Sequence, residues 1–473
     1  MGLILKDLPA YTGPYSVSTH NVELAYAGSS NFSSARLRST HEPALVLDTV
    51  LFTLFYPTST RETPRKQDRM PWFDRPLSLT ARGYARFLGK PTWLVRSILW
   101  IAGRNLYLPG SVDAPLLDDS RHPVVIFSHG LSGNRTTYSQ YCGELASRGH
   151  VVVALEHRDG SGPISVVHLD DSGHQQRIVD YIKEQDIYYE HEKDQIPFLA
   201  FRAQQLEMRQ KEISIVLDTL KQIDLGHGAE IDRKNRRRNP ASAVHLAEWR
   251  HKLDLEDRLV CAGHSFGGAT TIQALRSNRR FGFKKGIALD PWADPIPPAA
   301  DSSVSEPVSS AASTLVGSEE KLETKPSATP ALGSDESPPT IPVPLLVINS
   351  EAFTLWKPHF YLVRNVAKSV ENTARSWFFT ILGSVHLSFS DIPLVLPSFA
   401  TPKQATTPAS TSFGLIVETS IEYLKDEYDD GQYLSREVKQ GDEEYVNRRR
   451  GEGEKGPLQN DDEQGYVRLH YKQ

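Results

Sequence analysis

Cysteine is nearly missing from this chain. Cys142 and Cys261 are the only two, too few for a disulfide framework, and Cys261 reads as an inert buried residue. No apolar run reaches transmembrane length. The start, Met1-Gly-Leu-Ile-Leu-Lys-Asp7, has neither the basic opening nor the long apolar core of a signal peptide. Met1-Gly2 opens like a myristoylation site, but Lys6 stands where Ser or Thr is needed. Charge of one sign is not in excess: the formal net charge is -5 over 473 residues, which gives no case for nucleic acid as a partner. No cluster of Cys, His and carboxylates has metal-ligand spacing, and no P-loop or dinucleotide fingerprint occurs. These absences predict an enzyme or binding protein without metal or cofactor, cytoplasmic, either soluble or peripheral at membranes.

The hydrophobic fraction, 39%, is low for a chain of this length. It reads as one core diluted by polar segments. We expect a single domain over residues 1–428, interrupted by a helical insertion at about 165–250 and a low-complexity loop at about 296–342. That loop is rich in Pro, Ser, Ala, Thr and Glu, and cannot bury enough apolar surface to offset its ordering entropy. Residues 429–473 are charged and read as a disordered tail. The basic run Asp232–Asn239 could be an import signal, a phosphate patch or a solvated loop.

What is present is a series of short apolar strands alternating with helical stretches. Residues 47–56, 123–130, 151–156, 259–262, 285–289, 344–350 and 376–382 read as strands. Phe201–Leu220 places Leu206, Ile213, Val216, Leu217 and Leu220 on one helical face. This alternation predicts a mostly parallel sheet covered by helices on both faces.

The most informative stretch is Leu-Val-Cys-Ala-Gly-His-Ser-Phe-Gly-Gly, residues 259–268. Gly263 to Gly267 spell G-x-S-x-G between a strand and a small-residue helix, the context of a nucleophile elbow. The alternative is a Gly-rich turn whose Ser265 is only a helix cap. In parallel sheets, reactive side chains gather past the carboxyl ends of strands. Ser265, Asp290 and His386 all follow predicted strands, in the order nucleophile, acid, base. A serine hydroxyl needs a neighbouring base to become nucleophilic, and the base needs a carboxylate to fix its tautomer. Glu351 follows the next strand and rivals Asp290 as the acid. His129, His157 and His264 are poorer candidates for the base. His129-Gly-Leu-Ser-Gly133 ends an early strand, where such folds place half of the oxyanion hole. The N–H groups of Leu131 and Phe266 are the candidate donors. Thr92–Gly103 carries Trp93, Leu94, Ile98, Leu99 and Trp100 with Arg96 as its only charge. It suits a lipid–water interface or, alternatively, a core helix.

Several blocks extend beyond the elbow: Val125-Ile-Phe-Ser-His-Gly-Leu131, Arg135-Thr-Thr-Tyr-Ser139, Val153-Ala-Leu-Glu-His-Arg-Asp159, Gly263-His-Ser-Phe-Gly-Gly-Ala-Thr270, Gly286-Ile-Ala-Leu-Asp290, Ile348-Asn-Ser-Glu351 and Gly383-Ser-Val-His386. In these blocks, over roughly residues 45–425, the chain resembles the plasma-type (group VII) platelet-activating factor acetylhydrolases. These are calcium-independent phospholipases A2 of the α/β-hydrolase superfamily. The resemblance implies an α/β-hydrolase fold with Ser265 as nucleophile, His386 as base and Asp290, rather than Glu351, as acid. It implies Leu131 and Phe266 as oxyanion donors. It implies a peripheral membrane contact through Thr92–Gly103, where the family carries its interfacial helix. The implied substrate is a phospholipid with a short or oxidised sn-2 acyl chain. A general carboxylesterase or lipase, and a non-catalytic lipid-binding homologue, remain as alternatives. The chain departs from the plasma members in lacking a signal peptide and in carrying the 296–342 insertion and the charged tail.

Overall fold

The computed structural model describes residues 5–60, 65–238, 244–296, 340–397, 404–447 and 466–473. Among the described residues, ten strands form the central sheet. In chain order they are β1 (Ser16–Asn31), β2 (Val46–Thr58), β3 (Ser111–Val112), β4 (His122–Ser128), β5 (Val151–Glu156), β6 (Leu253–His264), β7 (Lys285–Leu289), β8 (Leu345–Ser350), β9 (Ser376–Ile381) and β10 (Val467–Lys472). Across the sheet the order is β10-β9-β8-β7-β6-β4-β5-β2-β1-β3. The run from β5 through β4 and β6 to β9 is parallel, whereas β2, β1 and β10 join antiparallel.

Helices cover both faces: α1 (Thr92–Ile98), α2 (Ser139–Ala146), α3 (Phe198–Gln222), α4 (Phe266–Arg276), α5 (Lys357–Lys368), α6 (Ala409–Leu424) and α7 (Asp442–Asn447). Val124, Ile126, Leu259 and Cys261 point into one core, with the predicted apolar face of α3. Val125, Phe127, Val260 and Ala262 point into the other, with Tyr141 and Leu145 of α2 and Phe413 and Ile416 of α6. Successive side chains alternate between faces, and both faces are dry, so the central strands read as unbroken apolar runs. Cys142 and Cys261 are buried free thiols.

Several expectations are corrected. The first strand read from the sequence begins at residue 47, but a 16-residue strand, β1, precedes it. Its buried Ser18, Thr19, His20 and Glu23 hide the apolar alternation. The stretch beginning at 165 is not wholly helical: Ile164–His168 and Gln176–Asp180 pair as a hairpin before α3 begins. In the basic run, Arg237 pairs with the fully buried Glu23 at 2.6 Å, and Arg236 pairs with Asp171. These two cations are therefore structural ties. Most of the 296–342 loop, residues 297–339, lies outside the described residues. So do residues 448–465 of the expected tail. The rest of that tail is folded in part, as α7 and as β10, the edge strand on β9. Val467 and Leu469 are buried there on either side of Arg468, a pattern too short to stand out in a charged context.

Thr92–Ile98 is helical, as read, and continues into a π-helical turn at Leu99–Gly103. Trp93 is 70% and Trp100 58% exposed, and Leu94 and Ile98 are also exposed. Leu99 is buried with Val95 in the core and does not belong to the exposed set. Among the described residues, no helix is long and apolar enough to cross a membrane.

Candidate active site

The end of β6 and the start of α4 form a turn with no room for side chains. A Cβ on Gly267 would overlap the Ser128 carbonyl oxygen of β4, and one on Gly263 would overlap the Gly267 carbonyl. Both glycines are therefore steric requirements of strand, turn and helix meeting closely. Ser265 between them holds φ 58° and ψ -119°. This conformation is unfavourable for a residue with a Cβ and is maintained by its surroundings. Its N–H is tied to Leu289 O at 2.9 Å and its carbonyl accepts Trp292 N–H at 3.0 Å.

The structure brings the three predicted side chains together. His386 Nε2 lies 2.9 Å from Ser265 Oγ, and its Nδ1 lies 2.7 Å from Asp290 Oδ2. Asp290 is fully buried. Its carboxylate also accepts the Ser350 N–H and the Ser350 hydroxyl, both at 2.7 Å. These donors satisfy a charge that burial would otherwise make costly. The imidazole is further held by stacking on Phe353, with ring centroids 4.2 Å apart and planes 5° off parallel. The His386 side chain retains 28% exposure, so the imidazole faces an open edge of the site.

Glu351, the rival acid, is committed elsewhere. It accepts Gly383 N–H at 2.7 Å and Tyr445 O–H at 2.6 Å, and so braces the turn that leads to His386. The other histidines are also engaged. Tyr138 O–H accepts Gly130 N–H at 3.2 Å and donates to His264 Nδ1 at 2.8 Å. Burial, then the charge of His386, holds His264 well below its ordinary value, so it stays neutral beside His386. His129 accepts His157 N–H on Nε2 and therefore donates from Nδ1 to Gly130 O at 2.8 Å. Burial and the Arg209 charge bring its value down to about 3.

The candidate oxyanion donors lie where the elbow meets the β4 loop. A Cβ on Gly130 would come within 2.9 Å of Ser265 Cβ, which brings the residue before Leu131 against the serine. Phe266 opens α4, where the first N–H groups have no partner in a preceding turn. Ligand atoms of His264, Asp290 and His386 lie within 4.8 Å of one another, spacing that could hold a metal ion. Both His386 nitrogens already serve Ser265 and Asp290, and His264 Nδ1 serves Tyr138. A metal here would have to displace one of the two His386 bonds.

Sequence reasoning missed a second Ser–His–acid chain behind the candidate oxyanion loop. Ser128 Oγ is 2.7 Å from His157 Nε2, and His157 Nδ1 is 2.5 Å from Glu212 Oε2. Ser128 is 0%, His157 1% and Glu212 1% exposed, so no ester reaches them. Burial and the Asp159 charge push Glu212 up to about 8, and burial holds His157 well below its ordinary value. The pair is therefore neutral, with the acid donating to Nδ1. For an acid raised in the folded state, stability is fully present below the unfolded value, here 4.5, and is lost as pH rises through about 8. Glu212→Gln can keep both hydrogen bonds and removes the titration. Its melting temperature relative to wild type is expected to rise between about pH 5 and about pH 9. A difference that stays flat over that range would contradict this assignment.

A mostly parallel sheet with a Ser–His–Asp constellation at its carboxyl edge defines an α/β-hydrolase. A ferulic acid esterase from Streptomyces cinnamoneus has the same fold, with a TM-score of 0.51 and 19% identity over 89% of this chain and 92% of that one. The chain belongs to the family described as platelet-activating factor acetylhydrolase, isoform II, whose pattern matches residues 5–317 and 331–448. A platelet-activating factor acetylhydrolase of Canis lupus familiaris is 30% identical over 310 residues, covering 65% of this chain and 57% of the relative. That of Bos taurus is 30% identical over 326 residues, covering 68% of this chain and 58% of the relative. The matched regions thus span under two thirds of these relatives' lengths.

Proposed function

We propose that this chain is a serine esterase that hydrolyses the short or oxidised sn-2 acyl ester of phospholipids such as platelet-activating factor, without calcium. The observation that carries the reading is the hydrogen-bond chain Ser265–His386–Asp290 at 2.9 and 2.7 Å. Membership of the family supports the substrate class. Ser265 Oγ attacks the sn-2 carbonyl carbon while His386 Nε2 takes the hydroxyl proton. Asp290 steadies the resulting imidazolium. The carbonyl oxygen, now negative, is stabilised by the N–H groups of Leu131 and Phe266. The C–O bond to the glycerol then breaks, and His386 returns the proton to the departing lysophospholipid. Water, deprotonated by His386, releases the short acid from Ser265.

We also propose that the exposed Trp93, Leu94, Ile98 and Trp100 rest on the lipid surface, and that the enzyme works in the cytoplasm. Two tryptophans at such exposure carry a large apolar cost in water that an interface removes. One assay tests both parts. In excess chelator, sn-2 acetyl phosphatidylcholine should be cleaved and the sn-2 palmitoyl lipid should not. The double change Trp93→Ala and Trp100→Ala should raise KM for vesicle-borne substrate and leave hydrolysis of a monomeric ester unchanged. Equal rates on p-nitrophenyl esters and glycerides, with none on the acetyl phospholipid, would favour a general carboxylesterase. Wild-type kinetics on vesicles in the double variant would remove the interface.

A further inference from the structure

Helix α3 carries a buried polar stripe beside its apolar one: Arg202, Gln205, Arg209 and Glu212 are all closed to solvent. Arg209 is the centre of it. Its Nε donates to Asp159 Oδ2 at 2.7 Å. Its Nη1 donates to the His129 carbonyl at 2.9 Å, and reaches Thr270 Oγ1 at 3.2 Å and Ser128 Oγ at 3.3 Å. Its Nη2 donates to Ser161 Oγ at 2.6 Å. Its guanidinium carbon sits 4.3 Å from the centre of the Phe266 ring. Ser161 in turn accepts Ser132 N–H through its carbonyl at 2.8 Å.

One guanidinium therefore grips both halves of the candidate oxyanion hole. It holds the β4 loop on either side of Leu131, directly at His129 and through Ser161 at Ser132. It holds the elbow through the ring of Phe266 and the hydroxyl of Thr270. A buried charge is expensive to keep, and here Asp159 offsets it. A fixed planar fork can hold several acceptors at set angles, which the flexible ammonium of lysine cannot. Stabilising an oxyanion depends on donors being aimed before the charge develops. The two donor segments come from different strands, so something must hold them in register.

We propose that Arg209 is a positioning residue that sets the relative placement of the Leu131 and Phe266 N–H groups. The proposal rests on the esterase reading above. A merely structural ion pair would change stability and not the affinity for the transition state. The test uses purified full-length wild type, Arg209→Met and Arg209→Lys, with folding checked by circular dichroism and melting. Hydrolysis of p-nitrophenyl acetate is measured, with the affinity for a trifluoromethyl ketone that forms an oxyanion on the serine. Arg209→Met should lower kcat about 100-fold, with KM changed less than about threefold. Arg209→Lys keeps the charge and part of the bonding, and should lose only about tenfold. Ketone affinity should fall in proportion to kcat/KM across the series. Wild-type kcat and ketone affinity in the folded variants would overturn the proposal. If the Met variant does not fold, wild-type values in the Lys variant overturn it alone. An inert wild type that does not bind the ketone would overturn the esterase reading itself.

Discussion

Ser265→Ala is expected to lower kcat on an sn-2 acetyl phospholipid by about a million-fold, the scale seen when a triad nucleophile is removed. The size follows from the geometry. Ser265 is the only hydroxyl within hydrogen-bonding distance of His386 Nε2 among the described residues. Ser128, which has its own histidine and a protonated carboxylic acid, is sealed behind the candidate oxyanion loop and cannot take over. Without Oγ no acyl-enzyme forms, and what remains is the contribution of the oxyanion donors and binding, roughly a thousandfold or more over water. The fold should hardly notice the change. An alanine keeps the Cβ at the strained turn, and Oγ makes its one bond to a partly open imidazole. A variant that melts like wild type and still turns over at more than about a hundredth of its rate would contradict the assignment.

Asp290→Asn is expected to lower kcat by about ten thousand-fold. Asparagine can keep the Ser350 N–H bond through its carbonyl oxygen, but its amide facing His386 Nδ1 donates rather than accepts. The imidazole then takes the tautomer with its proton on Nε2, which points at Ser265 and cannot receive the serine proton. Glu351→Gln is the comparison that decides between the two acids. Glu351 accepts from Gly383 N–H and Tyr445 O–H, and a glutamine can retain the first of these. Its loss should stay within about tenfold, since it alters the support of the His386 turn and not the proton path. A larger loss in Glu351→Gln than in Asp290→Asn, in folded proteins at matched pH, would exchange their roles.

Much of this site is readable from residue order because strand ends and small-residue turns leave local marks. Gly263 and Gly267 are needed within a few residues of Ser265, and the apolar runs before Asp290 and His386 announce strands without reference to the rest of the chain. What stayed hidden depends on distant partners. Arg209 and Glu212 look like the solvated side of an amphipathic helix. Only their encounter with Asp159 and His157, some fifty residues earlier, shows them to be buried. Ser350 carries no mark of its role until β8 lies beside β7 and its hydroxyl meets Asp290. The same holds for β10, whose six residues become a strand only against the edge of β9. Leu99 shares the apolar stretch of the exposed tryptophans but is buried. It follows the buried Val95 by one helical turn and shares its face, whereas Trp93, Leu94, Ile98 and Trp100 lie on the exposed side.

The most direct test is to treat the folded protein with a fluorophosphonate probe and map the adduct by peptide mass spectrometry. One equivalent on Ser265, with hydrolysis lost in step with labelling, is the predicted outcome. An active protein that carries no adduct, or carries it on another residue, would contradict the account.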